Sequence, residues 1–156
     1  MKLLVVSDTH GEEKNLIRAI KKEKPFDALL HLGDSETTRD HIQQLCGCPV
    51  YVVAGNCDYF SGLKPVQYVD LGGHRLMLAH GHRHSVRESE KYLADEARAN
   101  GCDIALYGHL HIPSINCMPD GMWVLNPGSL SYPRQAGRQP SYMVVICLKM
   151  GAVGHG

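Results

Sequence analysis

The chain has no excess of charge of either sign: Lys plus Arg number 16, Asp plus Glu number 16, and the formal net charge is zero with neutral histidine. A protein that grips duplex nucleic acid or an anionic membrane by bulk charge needs a surplus of cations, so both partners are set aside, although a small basic pocket is not. Long hydrophobic runs are missing too. The longest, residues 3–6 and 143–148, fall well short of the ~20 apolar residues of a membrane-spanning helix. The first gives way to Ser7-Asp8, too early for the ~7–15 apolar residues of a secretory leader, and the chain is read as cytoplasmic. No internal repeat, coiled-coil heptad or low-complexity tract occurs. Six cysteines are present, but not a framework built from them. Cys102, Cys117 and Cys147 lie in or beside apolar strand-like segments, where a reduced thiol behaves as a small hydrophobe. Cys46-Gly47-Cys48 is too tightly spaced for a zinc ribbon, and no second pair answers it.

What remains is a chain of 156 residues, 44% hydrophobic, long enough to bury a core without staples, and with ten histidines. Its first half alternates strand and helix. Residues 3–7 form an apolar run of the kind covered on both faces. Leu16, Ile17 and Ile20 share a helical face that ends before Pro25; residues 28–32 form a second strand; Ile42, Leu45 and Cys46 mark a second helix; residues 50–54 form a third strand. That order predicts a parallel sheet. In the second half, residues 66–71 and 74–79 flank Gly72-Gly73 as a hairpin. Ser85 and Glu88 read as a capping box opening a helix through Val86, Leu93 and Ala97 that stops at Asn100-Gly101. Strands follow at 104–107, 115–118, 122–125 and 142–148. The expected fold is α/β (α+β): two packed mixed sheets with helices outside, a four-layer αββα sandwich in a single domain over residues 1–150, then a flexible tail, 151–156.

The polar residues gather where apolar strands stop. The strand ends carry Asp8-Thr9-His10-Gly11, Gly33-Asp34, Gly55-Asn56-Cys57-Asp58, His80-Gly81-His82 and Gly108-His109-Leu110-His111. Ligands of sheets with parallel strands bind beyond the strands' carboxyl ends, so five ends deliver carboxylate, imidazole and amide to one edge. Asp, His and Asn form a nitrogen and oxygen donor set suited to Mn, Fe, Zn, Ni or Co. The donors suffice for two divalent ions with one carboxylate bridging. Such pairs lie ~3.5–4 Å apart and make a bound hydroxide that attacks phosphorus in line, with no Ser or Cys nucleophile.

In this order the five motifs resemble those of the calcineurin-like metallophosphoesterases. The Asn126-Pro127-Gly128-Ser129 turn followed by Pro133-Arg134 is most similar to the small YfcE-like phosphodiesterases. The resemblance spans residues 1 to about 148. It implies a helix-flanked β-sandwich with Asp8, His10, Asp34 and His111 on one metal. Asn56, His80 and His109 would hold the second, Asp34 bridging. It also implies that Asn56, His82 and Arg134 contact substrate, with Asn56 and His82 assisting catalysis, that Mn is the metal, and that copies self-associate as homo-oligomers. Larger members carry His after the Gly-Asn pair to assist the leaving group; here Cys57 stands there, and residues 35–38 lack the Asp and Arg of protein phosphatases. General-acid help is worth ~10²–10⁴-fold, so these departures favour a small phosphodiester substrate with a good leaving group.

The competing reading is a non-catalytic interaction scaffold on the same fold, like the related retromer subunit, which has lost part of its site. The full donor set here favours the enzyme. A nuclease is disfavoured, because neither a basic face nor an added gripping domain is visible. Among other histidines, His31 is expected in the core, since its side chain alternates away from that of Asp34, whereas His41 and His74 are expected in solvent. His84 and His155 carry no signal. Apart from the resemblance, residues 126–129 read as a tight turn.

Overall fold

The computed structural model describes residues 1–58 and 61–148, so the expected tail lies outside the described residues. Four strands, β1 (Lys2–Val6), β2 (Ala28–His31), β3 (Val50–Val52) and β9 (Met143–Ile146), form one sheet in the order β3-β2-β1-β9. The first three are parallel, as the strand–helix alternation requires, and β9 pairs antiparallel on β1. The second sheet contains β4 (Val66–Leu71), β5 (His74–Ala79), β6 (Ile104–Leu106), β7 (Ser114–Cys117) and β8 (Trp123–Asn126), in the order β4-β5-β6-β8-β7. The β4–β5 hairpin has the bounds expected from sequence, and β5, β6 and β8 run parallel.

Strand alternation explains why these runs are continuously apolar. Leu3 and Val5 of β1, with Leu30 of β2, face Leu76 and Leu78 of β5 and Leu106 of β6 across the inter-sheet core. Leu4 and Val6 point the other way and meet Leu16, Ile20 and Ile42 of α1 (Lys14–Glu23) and α2 (Arg39–Cys46). On the far side, Met77 and Ala105 pack against Leu93, Ala94 and Ala97 of α3 (Lys91–Ala99). The layers are therefore α-β-β-α, as expected. Thr38 caps α2 by accepting the His41 N–H at 3.1 Å, and Gly47 ends the helix in the left-handed region at φ 72°.

One helix boundary differs from the sequence reading. Ser85 and Glu88 do not open a helix: Ser85 sits at φ 51°, where an N-cap cannot lie, and residues 82–88 form turns. The helix starts at Lys91 instead, and Ser85 O accepts the Glu88 N–H within a turn. Among the described residues no helix is long and apolar enough to cross a membrane.

Candidate metal centre

All five loops that follow β1, β2, β3, β5 and β6 open on one edge, and the backbone there is unusual. Asp8, His10, Asp34, Glu36, His109 and His111 all lie at φ between 50° and 66°. Non-glycine residues avoid this left-handed region at a cost on the order of 1 kcal/mol each, so a dense set of contacts must hold them. The contacts are present. Asp8 N–H donates to Gly33 O at 3.0 Å, His10 N–H to Asp34 O at 2.8 Å, and Gly11 N–H to Ser35 O at 2.8 Å, stitching the β1 loop to the β2 loop. Asp58 accepts the N–H groups of Asp34 (2.7 Å), Gly55 (2.8 Å) and Glu36 (3.0 Å), tying the β2 loop to the β3 loop. From below, Ser129 Oγ–H donates to Asp8 O, Ser131 Oγ–H to Thr9 O and Asn126 Nδ2–H to Gly108 O. The 126–129 turn is thus a buttress under the β1 and β6 loops.

The side chains converge. Asp8 Oδ1 lies 3.1 Å from His111 Nε2, 3.6 Å from His80 Nε2 and 3.8 Å from His10 Nε2. Asp34 Oδ2 lies 3.2 Å from His80 Nε2 and 3.7 Å from His10 Nε2, while its Oδ1 accepts the Cys57 N–H at 2.8 Å. His109 Nδ1 faces His80 Nε2 at 3.2 Å. Two of these imidazoles have a fixed tautomer. His80 Nδ1–H donates to Leu32 O at 2.8 Å and His111 Nδ1–H to Tyr132 O at 2.7 Å, so in each neutral ring Nε2 keeps its lone pair.

This arrangement leaves donors without partners. Asp8 Oδ2 accepts from Ser7 Oγ–H at 2.6 Å and from His109 N–H at 3.0 Å, but the buried Oδ1 has no hydrogen bond. His10 Nε2 is likewise buried and unpartnered. Buried polar atoms without partners are costly, and lone pairs aimed at a common point fit cations. Two overlapping groups, Asp8–His10–His111 and Asp8–Asp34–His80, have the spacing to hold them, and two divalent cations suit the nitrogen and oxygen donors.

Electrostatics point the same way. Burial works to raise both carboxylic acids, but His111 and His80 beside Asp8, and His80 with the Cys57 N–H beside Asp34, outweigh it and hold both below the ordinary carboxylate value. Burial and the proximity of His80 push His109 down to about 4, and the same two causes lower His82. His109 is therefore a neutral donor at pH 7. Burial, then Asp34, push the Cys57 thiol up to about 11, so it is no thiolate nucleophile.

With the donors set by geometry, the relatives can be compared. A family model for the calcineurin-like phosphoesterase superfamily domain matches residues 1–150. The chain belongs to that superfamily. A probable metallophosphoesterase of Mycoplasma pneumoniae is 37% identical over 144 residues, covering 90% of this chain and 86% of that one. A predicted phosphoesterase from Streptococcus pneumoniae superposes with TM-score 0.81 at 32% identity over 92% of this chain and 81% of that one. YfcE, a phosphoesterase from E. coli, gives 0.68 at 26% over 94% and 88%. Vps29 of Entamoeba histolytica, complexed with Zn²⁺, gives 0.74 at 26% over 92% and 84%. As a superfamily member with this donor geometry, the chain is a metal-dependent phosphoesterase.

Not every residue singled out in the sequence joins the cluster. Asp8, His10, Asp34, His80, His109 and His111 come together. Asn56 is exposed, its amide 3.6 Å from the Cys57 sulfur. His82 is exposed at the margin, its ring centroid 5.4 Å from that of His80. Arg134 lies on the wall of a cavity of about 670 Å³ that also touches His10 and His111. Sequence reading passed over Glu36 and Arg138, which share that wall, and the loop-tying role of Asp58. Asp58 could have been found, since it closes the motif after β3; Arg138, in a polar loop, carries no signal.

Proposed function

We propose that the chain hydrolyses small phosphodiesters at a centre of two divalent cations, Mn²⁺ in the first place, with Zn²⁺, Ni²⁺, Fe²⁺ or Co²⁺ as substitutes. The observation that carries this reading is the pair of buried, unpartnered donors, Asp8 Oδ1 and His10 Nε2, in the midst of four neighbouring ligand-type side chains, Asp34, His80, His109 and His111. Asp8, His10 and His111 would hold one cation; His80 and His109, completed by Asn56 from the rim, the other; Asp34 would bridge. When bound, the cations supply positive charge to the phosphoryl oxygens and lower the pKa of a water from ~15.7 toward ~7. The chain's own residues orient the substrate: Arg134 takes a phosphoryl oxygen, and His82 and Asn56 flank the leaving group.

A diester is favoured over a monoester because the leaving-group histidine of larger relatives is replaced by Cys57, whose thiol is a poor substitute for an imidazolium. A non-catalytic scaffold on the same fold would have no use for costly unpartnered donors. Residues 1–150 would act as one domain, in the cytoplasm, and copies of the chain would self-associate. The test is Asp34→Ala, assayed for metal content and for turnover of bis(p-nitrophenyl) phosphate with Mn²⁺. The variant is expected to bind less metal and to lose activity, and wild type to hydrolyse that diester faster than an alkyl monoester. Near-wild-type turnover in Asp34→Ala overturns the two-cation reading.

A further inference from the structure

The cavity beside His10 and His111 is larger than a scissile phosphate needs, and its wall is rich in positive charge. Its wall carries two guanidiniums, Arg134 and Arg138, next to the exposed ring of Tyr132. Arg39, Arg75 and Arg98 are ion-paired, with Asp40, with Asp70, and with Asp95 and Asp120, and the other arginines, Arg18, Arg83 and Arg87, do not line this cavity. Among the described residues, Arg134 and Arg138 have no carboxylate within ion-pair distance. The one carboxylate on the same wall, Glu36, is turned onto His10 Nδ1 at 3.6 Å. The backbone fixes both positions. His111 O accepts the Arg134 N–H at 2.9 Å, and Gln135 O accepts the Arg138 N–H at 2.9 Å, with Arg138 held at φ 46°. A guanidinium offers two parallel N–H donors to a phosphate, and two guanidiniums match the charge of a terminal phosphate dianion.

We infer that this wall is a second anion subsite: the substrate is a phosphodiester bearing a further, terminal phosphate group, which Arg134 and Arg138 hold while the scissile phosphorus lies against His10 and His111. The inference rests on the phosphodiesterase reading above and narrows its substrate class. A cavity of about 670 Å³ is within the ~300–1,000 Å³ of small-molecule sites, room for a dinucleotide-sized ligand but far more than a bare diester linkage fills.

The test compares thymidylyl-thymidine with its 5′-phosphorylated form under Mn²⁺. Wild type should show kcat/KM at least roughly tenfold higher for the phosphorylated dinucleotide, the scale of one charge-assisted hydrogen-bonded contact. Arg138→Ala should bring that ratio toward one, and Arg138→Lys should restore part of it. The loss on the phosphorylated dinucleotide should exceed any loss on bis(p-nitrophenyl) phosphate by the same factor. A second arm needs no turnover: in calorimetry without added metal, wild type should bind thymidine 3′,5′-bisphosphate at least several-fold tighter than thymidine 5′-monophosphate, and Arg138→Ala should not. If bis(p-nitrophenyl) phosphate is hydrolysed but the terminal phosphate brings no advantage, the subsite is refuted and the phosphodiesterase reading stands. If no diester is hydrolysed, that reading falls, and equal binding of the two nucleotides would then refute the subsite independently.

Discussion

At the scale of single residues, His31 shows how burial sets a titration. It is fully buried in β2, its Nδ1 accepting the Gly33 N–H at 3.2 Å and its Nε2 3.0 Å from Thr9 Oγ1. With Nδ1 as acceptor, Nε2 carries the proton and donates to Thr9, so both nitrogens are committed to the neutral ring. Burial, opposed only in part by Asp8 and Asp58, pushes its pKa down to about 4. The folded value lies below the unfolded one of ~6.5, so the unfolded chain takes up the proton first. Stability is therefore full above pH ~6.5 and declines as pH falls toward 4, by about 2 kcal/mol at pH 5 and about 3 kcal/mol in total. Urea midpoints at pH 7 and pH 5 should show that loss in wild type, and His31→Asn, whatever its starting stability, should show a markedly flatter dependence. Equal slopes would mean that His31 is not the titrating group. Its burial was legible from strand parity. The partners of the two histidines expected in solvent were not: His74 Nδ1 meets Asp103 at 2.5 Å and His41 meets Glu13, while His84, which carries no signal in the sequence, has its Nε2 3.1 Å from Glu96. These partners are far away in sequence, and periodicity says nothing about them.

At the scale of elements, the site depends on how closely two strand-end loops approach. A Cβ on Gly108, just past β6, would stand 2.0 Å from Ser7 Oγ and 2.7 Å from Asp8 Oδ2 at the end of β1. Gly108→Ala must push these loops apart, straining the Ser7–Asp8 hydrogen bond and the one from His109 N–H to Asp8. Overpacking of this kind costs about 1–3 kcal/mol, and metal affinity should fall about tenfold or more, since a donor shifted by a few tenths of an ångström no longer converges. Denaturant unfolding and Mn²⁺ titration check both effects. Ser7→Gly combined with Gly108→Ala should recover part of the stability by clearing the nearest atom; no recovery would place the damage elsewhere. The glycines and polar residues that end each apolar run made this edge readable in the sequence, because a parallel strand must deliver its C-terminal loop there. The capping-box reading failed for the converse reason. Ser85 belongs to the turns leaving His80, and its left-handed backbone outweighs a local pattern that otherwise spells a helix start. The exposure of Asn56 was equally hidden, because the direction of a side chain in a loop follows from contacts such as those of Asp58, not from spacing.

At the scale of the molecule, strand order gave two sheets, but the seating of β9 on β1, joining residues about 140 apart, came from long-range pairing that no local signal encodes. The layering also explains what the cations would do for the fold. Asp8, His10 and Asp34 extend from β1 and β2 of one sheet, and His80, His109 and His111 from β5 and β6 of the other. Without cations, this edge holds two buried carboxylates facing one another through imidazoles, together with six left-handed residues. With cations bound, donors from both sheets would hold the same ions, and the edge would become a clasp across the inter-sheet core. A ligand that binds only the folded state stabilises it by ~2.7 kcal/mol at a hundred times its Kd. For a chain of this length each kcal/mol moves the melting temperature by roughly 2–4 °C, so saturating Mn²⁺ should raise it by roughly 5–10 °C and a chelator should reverse the gain. Asp34→Ala removes the carboxylate proposed to bridge the two cations. Because His80 holds that carboxylate ionised and it accepts the Cys57 N–H, the variant should melt lower than wild type without metal and also gain little from Mn²⁺. Scanning calorimetry of both proteins, with and without Mn²⁺, measures all four values. A wild type that binds Mn²⁺ in dialysis but melts unchanged would show that the bound ion does not join the sheets.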